Sequence, residues 1–370
     1  MRRAIPLRAA LARLLDRETL GLGAALAASG LLLLVAPTHQ KPPPPAPIPA
    51  SVAWPHAHLG SIPGTLPDGS IYTPALLFDA RSSVGTAPSR DGKYLRLLWR
   101  RAGGSLRQLR RLPLTQDPSI TDVTAAGDVL AWAEHTRGGN LRLWTVDLRT
   151  YRPPGPVTAE TGDLQSDDSQ YDLSISDGRL HWIASDPGHH DVRQVRSVAL
   201  SGGPVERRTV ARDWQLSAWP WLDNGAGPPS GATVLRNLLT NQDVAIHQTD
   251  ELHTTNCTPT WCDVVTLARD GSTRVELMHP DGTAGIRIPG AAWPAINDAV
   301  PLDHFEVLAR TGADTGLTNN EQLLVFEITT HRMVQLSFNA STVVYRQGVL
   351  WWSNGGQSVT IWHTLDLRTV

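Results

Sequence analysis

The sequence predicts an all-β fold, a β-propeller of four-stranded antiparallel blades, and three observations predict it. The first is a unit that occurs twice. Residues 127–150 read GDVLAWAEHTRGGNLRLWTVDLRT, and the chain ends on a near copy, QGVLWWSNGGQSVTIWHTLDLRT, at residues 347–369. In each, an apolar run carrying Trp leads into a Gly-bearing turn. A second alternating run follows, and both units close on Asp-Leu-Arg-Thr. A repeated supersecondary unit implies stacking, because one copy cannot bury its apolar face alone. The second observation is spacing. Candidate strand pairs start near Thr73, Gly127, Asp177, Ser217, Trp261, Asp303 and Gln347, about 40–55 residues apart, which is blade spacing. The third is texture. From about residue 51 no amphipathic helix is evident, and short β-rich runs alternate with Gly, Asn-Gly, Asp-Gly and Pro.

Seven such units predict seven blades, and six or eight also fit the spacing. A ring buries sheets that are apolar on both faces and leaves only short edges. The last unit stops after its third strand, whereas earlier ones continue into a fourth, such as residues 333–338. The segment around residues 62–78 is therefore expected to supply the missing outer strand of the last blade.

The first nineteen residues hold five Arg against Asp16 and Glu18. Residues 20–36, LGLGAALAASGLLLLVA, carry no charge and sit at the lower edge of a bilayer-spanning length. No good cleavage site follows the most apolar part. The expectation is an uncleaved anchor with its basic end in the cytoplasm and the remainder outside; the alternative is a removed signal peptide and a secreted protein. Residues 37–49 contain seven prolines, which exclude helix and ladder and favour a stiff spacer of roughly 40 Å. The expected division is thus a basic segment 1–19, a transmembrane helix 20–36, a Pro-rich linker 37–53 and a propeller 54–370.

Net charge is −2, so the chain beyond the first nineteen residues carries −5, read as thinly spread. That argues against a nucleic-acid partner, which needs a concentrated basic patch. Thirteen Trp stand against four Phe, and Trp recurs in apolar runs (Trp99, Trp132, Trp182, Trp351), which marks it as packing mass.

Residues 174–185, SISDGRLHWIAS, followed by an alternating strand ending in Ser201-Gly202-Gly203, resemble the repeat of TolB-like, WD40-like β-propellers. The resemblance covers at most residues 51–370 and its motif is structural. The N-terminal α/β domain of the periplasmic translocation protein is not visible, so its partners do not carry over. The resemblance implies a scaffold that meets ligands on its ring faces, central channel or loops.

Cys257 and Cys262 are the only cysteines. Their C-x4-C spacing and even count outside the cell read as a disulfide pinning the turn before the strand at Trp261. Neither a C-x-x-C redox site nor a complete zinc shell is present. His189, His190 and Asp191 lie in a turn, and with His56 and His58 they read as polar surface, so no metal is expected. Asp163, Asp167, Asp168 and Asp172 lack the order of a Ca²⁺ loop and read as a solvated inter-blade loop. Trp214, Trp219 and Trp221, three Trp in eight residues around Pro220, form a candidate ligand platform, with wedging between blades as the alternative. No nucleophile elbow, phosphate loop or metalloprotease motif occurs, so no catalytic residue and no cofactor is assigned. The expected function is a non-enzymatic binding or protein-interaction scaffold on the outside of a bacterial cell membrane. Its partners are the membrane, through the N-terminal helix, and a protein or carbohydrate. The alternative is an extracellular glycosidase or lyase, marked by convergent carboxylates at the channel mouth.

Overall fold

Seven antiparallel sheets follow one another along the chain. They are seen in a computed structural model that describes residues 45–370, apart from positions 140, 167–168, 187, 225–232, 247–252, 268–272, 299, 313–314, 319 and 355–360. The expected anchor (20–36) and most of the Pro-rich linker lie outside the described residues. Among the described residues no helix is long and apolar enough to cross a membrane.

Blade 1 runs through Thr73–Leu77, Ser83–Pro88, Tyr94–Arg100 and Leu106–Pro113. Blade 2 uses Ser119–Ala126, Val129–His135, Arg142–Asp147 and Gly155–Thr158. In blade 3 the first strand is split: Asp163–Leu164 and Leu173–Ser176 both pair with Arg179–Asp186, before His189–Ala199 and Glu206–Ala211. Blade 4 is Gln215–Leu216, Trp221–Asp223, Val234–Asn237 and Gln242–Ala245, and blade 5 is His253–Cys257, Cys262–Leu267, Thr273–Met278 and Ile286–Arg287. Blade 6 is Trp293–Pro294, Phe305–Arg310, Glu321–Glu327 and Arg332–Ala340. Blade 7 takes Val343–Arg346, Val349–Ser353 and Ile361–Asp366 from the end of the chain.

The repeated unit is thus the second and third strands of a blade, and its consensus residues have local reasons. Asp177-Gly178 and Gln347-Gly348 each place two consecutive residues at positive φ. That is the backbone of a two-residue hairpin turn whose twist matches the strands it joins. The closing Asp-Leu-Arg-Thr makes a second turn. Asp147 Oδ1 accepts the Arg149 backbone N–H at 2.9 Å, and the Thr150 hydroxyl donates to the Asp147 carbonyl at 3.1 Å. Asp366, Arg368 and Thr369 repeat the arrangement at 3.1 and 2.7 Å, and the intervening Leu148 and Leu367 are buried. Asp and Thr are there because short oxygen side chains hold turns.

The apolar faces meet between neighbours. Blades 1 and 2 share Leu76, Leu97, Leu130 and Trp132; blades 2 and 3 share Ala131, Leu143, Leu180 and Trp182. Further clusters join blades 3 and 4, 4 and 5, 5 and 6, and 6 and 7. The seventh joins blade 7 back to blade 1 through Ile62, Trp351, Trp362, Leu77 and Leu98. Seven sheets with seven interfaces form a closed ring. None of the thirteen Trp is exposed, and Trp132, Trp182 and Trp351 are fully buried. Each such indole removes roughly 150–250 Å² from water, on the order of 4–6 kcal/mol before entropic costs at about 25 cal/mol/Å².

The ring is closed by a segment from the start of the propeller. His58–Pro63 pairs antiparallel with Ile361–Asp366 over six residues, becoming the fourth strand of blade 7. A closing strand was expected, but from residues 62–78. Only Ile62 and Pro63 of that segment belong to it, and Thr73–Leu77 is instead the first strand of blade 1. Gly60 fits a crowded position in this strand. A Cβ there meets the Ala80 carbonyl oxygen at 2.4 Å, so only glycine passes between blades 7 and 1. The Pro-rich segment also ends sooner than expected. Ile48–Pro49 lies parallel to Val334 and Gln335 as a fifth, outer strand of blade 6, an edge position where proline is tolerated. Residues 50–53 form a helical turn beyond it.

Ile62 is fully buried in the closing cluster, while Leu59 on the same strand is 43 % exposed. Ile62→Ala is therefore expected to lower the unfolding free energy by about 2–5 kcal/mol, and Leu59→Ala by less than about 0.5 kcal/mol. Denaturant unfolding measures both, and equal midpoints for the two variants would contradict a closure resting on Ile62.

Candidate functional site

The first strands of blades 4, 5 and 7 and the residues beside those of blades 3 and 6 (169–172 and 295–298) converge on one cavity of about 520 Å³, which identifies the first strands as the innermost and the cavity as the central channel. Its wall is polar, with Gln170, Gln215, Asp223, Asn256, Asn297 and Arg346 among the lining residues. Inner strands present small or polar side chains because their apolar ones are turned sideways into the blade interfaces.

The split first strand of blade 3 fills part of this channel. Residues 169–172 lie off the sheet and reach across the ring. The Ser169 hydroxyl and the Gln170 backbone N–H both donate to Asp298 Oδ2 on blade 6, at 2.9 and 2.7 Å. Arg346 of blade 7 donates to the Ser169 carbonyl at 3.4 Å. On the other side the Ser166 hydroxyl donates to Asp122 of blade 2 at 2.8 Å. Asp122 sits at positive φ where the first strand of blade 2 shifts register, a bulge that re-aims its side chain. Tyr171 packs against the clusters between blades 3 and 4 and between blades 6 and 7. Burial pushes its phenol above the usual range, and burial pushes that of Tyr345 up to about 12, so both stay neutral.

The stretch expected to be a solvated inter-blade loop is thus a plug. Asp172 is buried and accepts the Ser169 backbone N–H at 2.9 Å; Asp167 and Asp168 lie outside the described residues. A polar stretch reads as solvated in sequence. Here its water is replaced by donors and acceptors from the neighbouring blade 2 and from blades 6 and 7 across the ring.

Cys257 and Cys262 form the expected disulfide. They are cross-strand partners in the hairpin that opens blade 5, and Cys257 lines the channel. Trp214 and Trp219 join the cluster between blades 3 and 4, whereas Trp221 packs against the one between blades 4 and 5. The Arg236 guanidinium lies 4.6 Å over Trp214, and Trp219 stacks on His181 at 3.6 Å. The structure therefore brings together only two of the three. His189 is exposed, 3.6 Å from Asp186, and His58 lies in the closing strand. Among the described residues no three His, Cys, Asp or Glu side chains are grouped for a metal.

Two carboxyls missed by the sequence reading face each other's influence between blades 5 and 6. Asp263 and Glu306 open the second strands there and are only 5 % and 1 % exposed. Both Glu306 oxygens and Asp263 Oδ2 have no hydrogen-bond partner among the described residues, while the Asn256 side chain serves Asp263. Burial pushes Asp263 up to about 7. Burial first, and the Asp263 charge second, hold Glu306 well above the ordinary carboxyl range. A single acid inside an apolar run, as in CDVVTL and FEVLAR, was the available signal.

Charge is also less evenly spread than its total implies. Residues 90–111 hold eight Arg or Lys against Asp91 alone, all on the outer half of blade 1. The thinly spread charge read from the total does not hold there.

No family model and no curated protein matches the chain. The chain is similar in fold to TolB. The likeness to TolB from Acinetobacter baumannii has a TM-score of 0.41 at 11% identity and covers 73% of this chain and 62% of that one. An uncharacterized protein from Listeria monocytogenes EGD-e gives 0.49 at 10% identity, over 76% of this chain and 88% of that one. The acylaminoacyl peptidase of Pyrococcus horikoshii gives 0.48 at 10% identity, over 86% of this chain but 52% of the peptidase. The chain thus spans less than two thirds of the length of TolB and about half that of the peptidase. The propeller expected from the TolB-like repeat is present, and it rests on this chain's own strand pairing and seven interblade clusters.

Raised carboxyl pKa values have a thermodynamic consequence. The folded state holds protons on Asp263 and Glu306 that the unfolded chain releases near pH 4. Their contribution to stability is full below that point and is lost as pH rises through about 7, the folded value of Asp263. Thermal unfolding between pH 5 and 8 should show this fall, and Glu306→Gln should flatten it. A Glu306→Gln profile parallel to the parent would contradict the paired burial.

Proposed function

We propose that the protein is a membrane-tethered propeller on the outside of the cell membrane that binds a protein or carbohydrate partner without chemistry. The observation that carries this reading is the plugged channel. Its inner carboxylate Asp298 is committed to Ser169 and Gln170, and its phenols are neutral structural groups. Besides Asp172 and Asp223, which have partners of their own, the lining offers amides and one guanidinium, which suit recognition. Residues 20–36 and the proline-rich stretch after them support tethering.

A second reading as a carbohydrate-active enzyme is favoured by one fact: Asp172, Asp223 and Asp298 line the same cavity. Glycoside cleavage needs one carboxyl kept protonated beside one that is not. Asp263, Glu306 and Glu321, carboxyls whose pKa burial raises, are not in the channel lining.

Asn297→Arg places a cation at an exposed point of the lip. It is expected to abolish capture of the partner from solubilised membranes while leaving thermal unfolding unchanged. Protease added outside intact cells should digest the propeller, and detergent should be needed to release it. Cleavage of a polysaccharide by the purified protein, lost in Asp223→Asn, would replace this reading with the enzymatic one.

A further inference from the structure

The outer half of blade 1 is unlike the rest of the ring. Outside residues 90–111, at +7, and the first nineteen, at +3, the chain carries −12. The fourth strand of blade 1, LRQLRRLP, holds three Arg; those of blades 2, 4 and 7, GPVT, QDVA and HLGSIP, hold none. Charged edge strands guard against edge-to-edge pairing. A few charges do that, and the other blades manage with fewer.

The cations wrap the free edge of the sheet. Arg96 and Arg111 are direct register partners on one face. Arg107 and Arg110 reach the neighbouring blade instead, to the Leu148 carbonyl and to Glu134. Arg90 and Lys93 lie in the turn at one end, and Arg101 in the turn at the other. Two of the eight are paired, Arg96 with Asp68 and Arg110 with Glu134. Arg90, Lys93, Arg101 and Arg111 are exposed and form no ion pair among the described residues, although Lys93 and Arg111 lie near enough to Asp91 to lower its pKa, after the Ser89 hydroxyl.

Two further observations choose among polyanions. Three aromatic faces here are already covered, Trp99 by Arg101 at 4.6 Å, Tyr94 by Arg111 at 3.6 Å and Trp144 by Arg110 at 3.8 Å, which leaves Tyr151 as the one exposed ring among the described residues of the patch. Bases of a single-stranded nucleic acid would need those faces free for stacking. Exposed apolar groups also rim the patch: Leu106 at 40 %, Leu114 at 38 % and Tyr151 at 88 %. Phosphodiester chains offer them nothing. A bilayer interface accepts a cation and the apolar body beside it together.

We propose that the outer edge of blade 1 docks on a membrane surface rich in anionic lipid headgroups. This face lies in the propeller itself, so the proposal stands whether or not residues 20–36 cross a bilayer, and the test separates the two. The native cysteines are joined, so Ser105→Cys, in the exposed turn between the third and fourth strands, supplies a single site for an environment-sensitive fluorophore. The labelled full chain is mixed with vesicles of 30% phosphatidylglycerol in phosphatidylcholine, or of phosphatidylcholine alone.

The fluorophore is expected to shift to the blue on the anionic vesicles only, and to return at about 0.5 M salt, where charge is screened. Each surface cation contributes about fivefold to such binding. Replacing Arg90, Lys93, Arg101 and Arg111 by Gln should raise the half-saturating lipid concentration at least about 100-fold, with an unchanged unfolding midpoint. Vesicle flotation without a fluorescence change would show anchoring through residues 20–36 alone and would overturn the proposal. So would an equal shift in the fourfold variant, or a shift on duplex DNA with none on the vesicles.

Discussion

Everything in this structure depends on sheets covering one another sideways. Each blade is apolar on both faces, so each needs two neighbours, and a row of such sheets always leaves two faces wet. A ring removes the last two. Closure falls to one strand, His58–Pro63, which pairs with Ile361–Asp366 from the far end of the propeller. The closing interface is reinforced accordingly. Trp362 donates to the Tyr72 carbonyl at 3.1 Å and Thr364 to the Ala80 carbonyl at 2.7 Å, and Arg368 ties the last turn to the Phe78 carbonyl. Buried donors are thereby satisfied where blades 7 and 1 meet, as burial demands.

The same geometry divides the molecule chemically. Side chains turned sideways are apolar, side chains on the inner strands are polar, and those on outer strands face solvent. The plug of blade 3 exploits the inner zone: its backbone and hydroxyl groups replace water around Asp298 and Asp122. Asp263 and Glu306 break the division, because they lie in the sideways, apolar zone. Two acids there are tolerable when protonated, since an uncompensated buried charge is far more costly than a buried neutral acid.

Much of this was legible in the sequence, for identifiable reasons. The repeat is a consensus of turns, and turn chemistry is local: Asp-Gly, Gln-Gly and Asp-Leu-Arg-Thr specify backbone within four residues. Blade number followed from their spacing. The Cys257–Cys262 disulfide followed from a short loop and an even count. The source of the closing strand was expected in 62–78, which overlaps the observed 58–63 only at Ile62 and Pro63, because alternation alone does not distinguish residues 58–63 from 73–77. The pairing of 58–63 with 361–366, crowded at Gly60, is a property of the assembled ring.

By itself, the sequence determined a ring of Trp-bearing β units closed by an early strand, because periodicity and turn residues act over short distances. Only the tertiary structure decided that an acidic-looking loop is a channel plug, that the Trp214–Trp221 stretch splits between two interfaces, and that two lone acids meet. Those facts join residues more than forty positions apart, or sort neighbours onto opposite faces of a sheet. No local pattern carries that information until the blades are in place.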